Sequence, residues 1–349
     1  MSSLPLQTSD VVGITKATGD SLRASILRAL RHESFGVLEL CHIFDTAQPG
    51  MSHHLKILLN AGLVSSRREG NAIFYRRALV DVGNPAHDLV ATLFAAIDQT
   101  PQPAIVTTQI RAVHHVRNEH SREFFSRNAP QLKQNQALIA QYEQYRDAVW
   151  HQIENAGFAH FNLATEIGPA DSSLIIDLAR RFDTVIAVDN SHSMLDKTRS
   201  LVDAEGLSNV HLKLGELDAL AGDPADLLVL NMVLHHLPSP AAFFELAHRL
   251  LKTNGKLLVI DLCPHDQEWV QETCGDQWLG FDPEEMVTWA SASGLNHRDE
   301  SYLGLRNGFQ VQIQTFSNDI GDASDTAGQP VSQLTNDADT DVRQSSAAD

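Results

Sequence analysis

The chain has 349 residues, 43% of them hydrophobic, enough for two ordinary domains and a linker. It has no run of about 18 apolar residues and its start lacks the basic-then-apolar pattern of a secretion signal, so no membrane span and a cytoplasmic location are expected. Three scattered cysteines, Cys41, Cys263 and Cys274, argue against a disulfide framework and a cysteine metal site, while the formal net charge of −18 argues against a nucleic-acid partner.

The distribution of charge changes that reading. From residue 317 to the end there are seven aspartates against one arginine, a net of −6 on a tract of Ser, Thr, Gln, Gly and Ala with little to bury. Such a tract is expected to be a disordered acidic tail (317–349). Residues 1–100 carry nine basic and nine acidic side chains, and Lys56, Arg67, Arg68, Arg76 and Arg77 gather in one stretch. Local positive charge, not the global sum, meets phosphates.

In chain order, residues 1–15 read as a flexible lead. An amphipathic helix over 20–30 turns Leu22, Ile26, Leu27 and Leu30 inward, with Asp20 as N-cap. A second helix is expected over 37–44. In the next helical run Met51, Leu55, Leu58 and Leu59 share one face, Ser52, His53 and Lys56 the other, and Gly62 stops it. Two short strands then flank Glu69, Gly70 and Asn71, a hairpin signal. A helix-turn-helix followed by a basic hairpin is a winged helix. A further helix (86–97) completes a domain over 16–100, before the linker signal at Thr100, Pro101 and Pro103.

Residues 101–158 read as polar helices connecting or bracing two halves, with sparse apolar positions such as Phe124, Phe125, Tyr142, Tyr145 and Trp150. From 159 to 316 the pattern changes. Strands are expected at 161–167, 184–188, 210–214, 226–230 and 256–262, and helices at 172–181, 192–205, 241–251 and 282–293. A last strand at 308–316 reads as an antiparallel edge. Apolar strands alternating with helices make an α/β doubly wound, Rossmann-like sheet behind the N-terminal winged helix-turn-helix.

Two stretches carry the chemistry. At the start of the recognition helix, Gln48, Ser52 and His53 offer groups that read base edges or phosphates, and Lys56, Arg67, Arg68 and Arg76 offer backbone contacts. His53 or His54 could instead be a packed helix residue. In the second half, Glu166 and Gly168 sit where the first strand meets its helix, and Asp189 and Asn190 end the second strand. A doubly wound fold passes a nucleotide-like ligand over that first bend, with an acidic residue accepting from ribose hydroxyls. Asp189 could also cap the following helix. Ala170 adds a methyl to the bend and is tolerated there if its φ stays negative.

The set Gln48, Pro49, Ser52, His53, His54, Leu55, Lys56, Gly62, Arg68, Glu69, Gly70, Phe74, Tyr75 and Arg76 resembles the ArsR-type winged-helix repressors over about residues 16–80. The resemblance implies double-stranded operator DNA as partner and a homodimer. Many such repressors sense metals through two cysteines near the second helix. Cys41 stands at the first of these positions and Ile43 at the second, so that mode is not supported and Cys41 reads as core.

Residues 160–316 resemble class I methyltransferases through Glu166, Gly168, Pro169, Asp189, Met194, Leu195, Gly215, Glu216, Leu217, Asn231, His235, His236 and Gly255. That resemblance implies S-adenosylmethionine or S-adenosylhomocysteine as ligand, with Glu216 at the adenine, Asn231 and Met232 beside the methionine portion, and Leu217 and Met194 lining the pocket. The tract 264–283 also fits the subgroup that fuses this winged helix to a methyltransferase domain, where it would cover the pocket. Ala170 and Ser172 depart from the glycine-rich first loop. His235 and His236 show no obvious third metal ligand at useful spacing.

Three functions follow: a regulator whose second domain senses the adenosyl ligand; an active methyltransferase, with a small-molecule acceptor, that also binds DNA; and a methyltransferase whose winged helix only dimerises. The sequence names no general base for the chemistry.

Overall fold

Ile14 and Ala17 are buried against the helices that follow them, and this draws the chain into a helix, α1 (Thr8–Thr18), which begins within the stretch 1–15 expected to be a flexible lead and runs past its end. The computed structural model describes residues 5–79, 83–215, 220 and 224–319, and of 129–133 the backbone alone. The expected acidic tail from residue 320 on lies outside the described residues. Helices α2 (Ser21–Ala29), α3 (Val37–Phe44) and α4 (Gln48–Asn60) follow, and Asp20 caps α2 by accepting from the Arg23 amide at 3.0 Å. In α4, Met51, Leu55 and Leu58 are fully buried. Each contributes about 1.5–3 kcal/mol by leaving water. Strands β2 (Val64–Glu69) and β3 (Ala72–Arg77) pair antiparallel about a turn at Gly70 and Asn71, and a two-residue strand β1 (Phe35–Gly36) adds to β3. Helix α5 (His87–Asp98) closes this core.

The connecting region is two helices, α6 (Ala104–Gln136) and α7 (Tyr142–Asn155). At about 1.5 Å per residue α6 is roughly 50 Å long. Its first part buries Val106 and Val113 in the N-terminal core, and further on Phe124 and Phe125 pack against Met194 of the C-terminal half. One helix serving two cores on different faces has no single apolar stripe, which is why the sequence looked merely polar. Helix α7 belongs to the second core outright, through Tyr142, Tyr145, Val149 and Ile153.

Seven strands form the second sheet. They are β4 (Leu163–Ile167), β5 (Thr184–Asp189), β6 (Val210–Leu214), β7 (Ala225–Asn231), β8 (Leu251–Leu262), β9 (Asn296–Gly304) and β10 (Gln310–Ser317), in the order β6-β5-β4-β7-β8-β10-β9. The first five are parallel; β10 runs antiparallel to both its neighbours. Helices α8 (Leu174–Arg181), α9 (His192–Ala204) and α10 (Pro240–Leu250) make the crossovers, and α11 (Trp269–Cys274) and α12 (Pro283–Ala292) follow β8. The last strand is therefore not the edge, as its alternation suggested. The edge is β9, whose sequence Asn296, His297, Arg298, Asp299, Glu300 hides it. Charged residues suit an edge strand and discourage further pairing.

β4 lies between β5 and β7, where the strand order reverses. A crevice therefore opens at the carboxyl ends of β4 and β7, the place doubly wound sheets keep for ligands.

Candidate ligand cleft and nucleic-acid face

Gly168 opens the crevice. Its φ is +62°, its amide donates to Val188 O at 2.8 Å, and a Cβ there would stand 3.0 Å from the Val233 side chain. Ala170 follows with φ +45°, against the expectation of a negative value. The Thr198 hydroxyl donates to the Ala170 carbonyl at 2.6 Å and helps hold it there. A left-handed alanine costs about 1–2 kcal/mol, so the loop keeps a glycine-like course under strain.

Two cavities, of about 560 and 360 Å³, share Gly168, Ala170 and Met232 in their walls. Asp189, Asn190, Met194 and Gly215 line the larger, under His114, His115 and Phe125 of α6. The smaller is walled by Tyr145, Asn231, His235, Cys274 and Asp276. The expected ligand residues Gly168, Asp189, Asn190, Met194 and Asn231 thus come together, while Glu216 and Leu217 lie outside the described residues. Asp189 accepts from the Ser191 amide at 2.8 Å, which turns the chain into α9 and leaves it on the cleft wall.

Glu166 is fully buried in β4, and neither carboxylate oxygen has a hydrogen-bond partner among the described residues. Burial raises its pKa to about 8, with the nearby Ser172 hydroxyl offsetting a little. Two loops are tied together beside it. The Tyr145 hydroxyl donates to Asn231 Oδ1 at 2.9 Å, and Asn231 Nδ2 donates to Ser172 Oγ at 3.1 Å. Tyr145 read as a plain apolar position in the sequence; nothing local marks it as a partner of a residue 86 positions away.

A second polar knot lies at the inner wall. His235 Nδ1 is 2.8 Å from Asp261 Oδ1, and its Nε2 is 3.7 Å from Asp276 Oδ1. His236 Nδ1 is 3.2 Å from the Gly275 carbonyl and 3.9 Å from Asp276. Burial disfavours the His235 cation, but Asp261 and Asp276 outweigh it and raise the pKa to about 9. Burial lowers that of His236, and raises that of Asp276 to about 7 against the opposing pull of His235. Asp276 is thus the group beside both histidines that sequence spacing did not suggest. Cys263 and Cys274 are buried, their thiols raised by burial to about 11 and about 12.

On the other half, Gln48, Ser52, His53 and Lys56 are all exposed on α4. Gln48, Ser52 and Lys56 follow at intervals of four residues, so they form one stripe. His54 is partly buried, 3.5 Å from the Arg23 guanidinium. Cys41 is half-buried against the N-terminal core.

The wing faces the second domain. Arg67 Nη1 donates to the Gly280 carbonyl at 2.7 Å and pairs with Glu69. Glu69 accepts from the Leu279 amide at 2.8 Å. Arg76 pairs with Glu285, and Phe74 meets Trp278 edge to face, their centroids 5.2 Å apart. Arg68 remains exposed, with Glu268 at 3.7 Å. The segment 275–285 thus touches the wing along most of its length, and through Asp276 it also walls the smaller cavity. Gly280 sits in it with φ +76°, where a Cβ would fall 2.2 Å from the Cys263 carbonyl oxygen; only glycine lets the segment lie so close to β8.

Comparison with known proteins agrees with this division. The family model described as bacterial regulatory protein, arsR family, matches residues 20–66, and that of a methyltransferase domain matches residues 164–293. An uncharacterized HTH-type transcriptional regulator of Methanocaldococcus jannaschii is 45% identical over 65 residues, 18% of this chain and 71% of its own length. The transcriptional repressor SdpR of Bacillus subtilis is 34% identical, over 18% of this chain and 69% of its own. The repressor SmtB of Mycobacterium tuberculosis is 34% identical, over 25% of this chain and 65% of its own. For the cadmium resistance regulator CadC of Listeria innocua, at 35% identity over 20% of this chain, the share is 58%. Among solved structures, an S-adenosylmethionine-dependent methyltransferase from Clostridium acetobutylicum overlaps 56% of this chain and 98% of its own, at 12% identity and a TM-score of 0.42. The N-methyltransferase NodS of Bradyrhizobium japonicum, solved with S-adenosyl-L-homocysteine, overlaps 50% of this chain and 86% of its own, at 15% identity and 0.40. These structural likenesses are too distant to bear on substrate or activity. Among the described residues no helix is long and apolar enough to cross a membrane.

Proposed function

Because the chain belongs to the arsR family through its N-terminal domain and carries a methyltransferase domain behind it, we propose that it is a DNA-binding transcriptional regulator controlled by an adenosyl ligand. The observation that carries this reading is the segment 275–285, one end of which walls the smaller cavity while the remainder holds the wing. Its Asp276 lines the smaller cavity; its Gly280 and Glu285 hold Arg67 and Arg76.

The residues present fit S-adenosylmethionine or S-adenosylhomocysteine. Gly168 gives close approach to the bend and Asp189 stands at the end of β5, both on the wall of the larger cavity, whereas Glu166, buried in β4, lines neither of the two cavities. Asp189 would accept from the ribose, Asn190 and Met194 would flank the adenosine, and Asn231 would face the amino-acid end. When bound, S-adenosylmethionine supplies a methyl on cationic sulfur. On the DNA side, Gln48, Ser52, His53 and Lys56 would enter the groove of an operator as a homodimer, with Arg67, Arg68 and Arg76 meeting phosphates once the wing is released.

The test is operator binding by fluorescence anisotropy, with full-length protein alone and saturated with each adenosyl ligand. A tenfold change in Kd is expected, equivalent to about 1.4 kcal/mol of differential binding. Tight ligand binding with operator affinity unmoved would overturn ligand control, because a ligand with equal affinity for both states shifts nothing.

A second reading, favoured by the smaller cavity, is methyl transfer to a small molecule. That cavity lies past the Gly168–Ala170 bend and has room for an acceptor against Tyr145 and Asn231. Positioning alone can carry much of such a displacement. Turnover of S-adenosylmethionine dependent on an added small molecule is the outcome that would favour it.

A further inference from the structure

The His235, His236 and Asp276 cluster has the form of a metal site that has not been closed by hydrogen bonds. We propose that these three residues bind one divalent first-row transition metal ion of the zinc class. One ligand atom from each lies within 4.8 Å of the other two, and all three residues are buried. Asp276 has neither oxygen in a hydrogen bond among the described residues, and His236 Nε2 is likewise buried without a partner. A buried carboxylate with no hydrogen bond, and with its nearest histidine nitrogen 3.7 Å away, is costly to keep ionised, and metal coordination is one of the ways proteins keep one.

The spacing separates this from an ordinary buried ion triad. Asp261 already takes the hydrogen-bonding position on His235, at 2.8 Å from Nδ1, and turns Nε2 toward Asp276. Outer groups of this kind set the tautomer of metal-bound histidines. On His236 a single nitrogen, Nδ1, lies 3.2 Å from the Gly275 carbonyl and 3.9 Å from Asp276 Oδ1, so either ring nitrogen of His236 can serve as the ligand atom. Asp276 then stands 3.7 and 3.9 Å from the two rings, too far for hydrogen bonds. Ligand bonds of about 2.0–2.2 Å at tetrahedral angles put ligand atoms about 3.3 Å apart, so the gaps suit a shared ion after a small contraction. Two imidazoles and one carboxylate favour zinc, cobalt or nickel over magnesium or calcium, which prefer oxygen. The fourth position faces the cavity of about 360 Å³ that His235 and Asp276 line, open to water or a ligand atom.

The experiment uses the full-length protein, stripped by chelator and titrated with Zn²⁺ against a chromophoric competitor. One ion per chain is expected, and Asp276→Asn and His236→Gln should each weaken uptake at least tenfold. Asp261→Asn, which acts through His235, should weaken it about 10- to 100-fold. X-ray absorption at the zinc edge of the wild-type protein should read two imidazoles with oxygen ligands, a result that stands even if a variant does not fold. Failure of the wild type to take up stoichiometric Zn²⁺, uptake unchanged in both ligand variants, or a spectrum with sulfur or fewer than two imidazoles would each overturn the site. None of these readouts depends on DNA or adenosyl binding, so the metal site and the regulatory reading can fail separately.

Discussion

Arg117 grips Glu39 at two points, Nε to Oε1 at 2.9 Å and Nη2 to Oε2 at 2.6 Å, and so ties the long α6 helix to the N-terminal domain. The same guanidinium donates to the Ser34 carbonyl at 3.0 Å and, across the domain boundary, to the Pro238 carbonyl at 2.6 Å. It lies over Phe35, Phe74 and Trp278, which come from both halves. Glu39 also caps α3 by accepting from the Gly36 amide at 2.8 Å. Arg117→Ala leaves Glu39 and two carbonyls without their donor. It should cost about 3 kcal/mol, somewhat reduced because Glu39 keeps some solvent. Urea unfolding followed by tryptophan fluorescence and by circular dichroism should then separate into two transitions. Arg117→Lys should not restore the single transition, since an ammonium cannot make the forked contact. Wild-type behaviour of Arg117→Ala in both probes would show that the junction is held elsewhere.

Glu285→Gln removes the charge that holds Arg76. With Arg76 released toward phosphate, operator affinity should rise several-fold at low salt. The slope of log Kd against log salt should steepen by about one unit, the signature of one more phosphate contact. A weaker complex with an unchanged slope would mean that Arg76 acts only in domain packing.

Ala170→Gly removes the methyl from a left-handed backbone. The protein should gain about 1 kcal/mol, less the added freedom of glycine in the unfolded chain, and the melting temperature should rise by a few degrees. Ala170→Val should lower it, because a branched side chain tolerates that φ worse than alanine. A destabilised glycine variant would show that the methyl's contact with Met194 outweighs the strain.

Glu166 ties stability to pH. Burial raises its folded pKa to about 8 from the 4.5 of a freely solvated glutamate, so between these values the folded chain holds a proton that the unfolded chain has lost. Stability therefore falls as pH rises through that window and levels off above it. Glu166→Gln imitates the protonated form and should flatten this part of the curve in urea titrations from pH 5 to about 9. If the variant's curve stays parallel to the wild type, Glu166 is charged and compensated in the folded state.

Much of the architecture was legible because it is written locally. The α4 stripe of Gln48, Ser52 and Lys56 follows helical period, the β2–β3 turn follows from Gly70, and β4, β5, β6 and β7 stand out as short apolar runs bounded by turn residues. The Gly168 bend and Asp189 were legible for the same reason: they sit at fixed distances from strand ends. In three elements burial is not written in the local pattern. α1 was overlooked because two residues, Ile14 and Ala17, anchor it. β9 was overlooked because an edge strand keeps charged side chains, and β10 was misplaced because its interior position is set by β9.

Chain chemistry alone settled that a winged helix precedes a doubly wound sheet with a glycine bend above an acidic strand end, since period, turn and cap are decided within a few residues. Only the folded chain could decide that Asp276 closes on His235 and His236, that Arg67 and Arg76 meet Gly280 and Glu285, and that Ala170 is held left-handed by Thr198. Each of these depends on segments tens to hundreds of positions apart, whose meeting is governed by how two cores pack on one helix. No repeat or spacing along the chain carries that information.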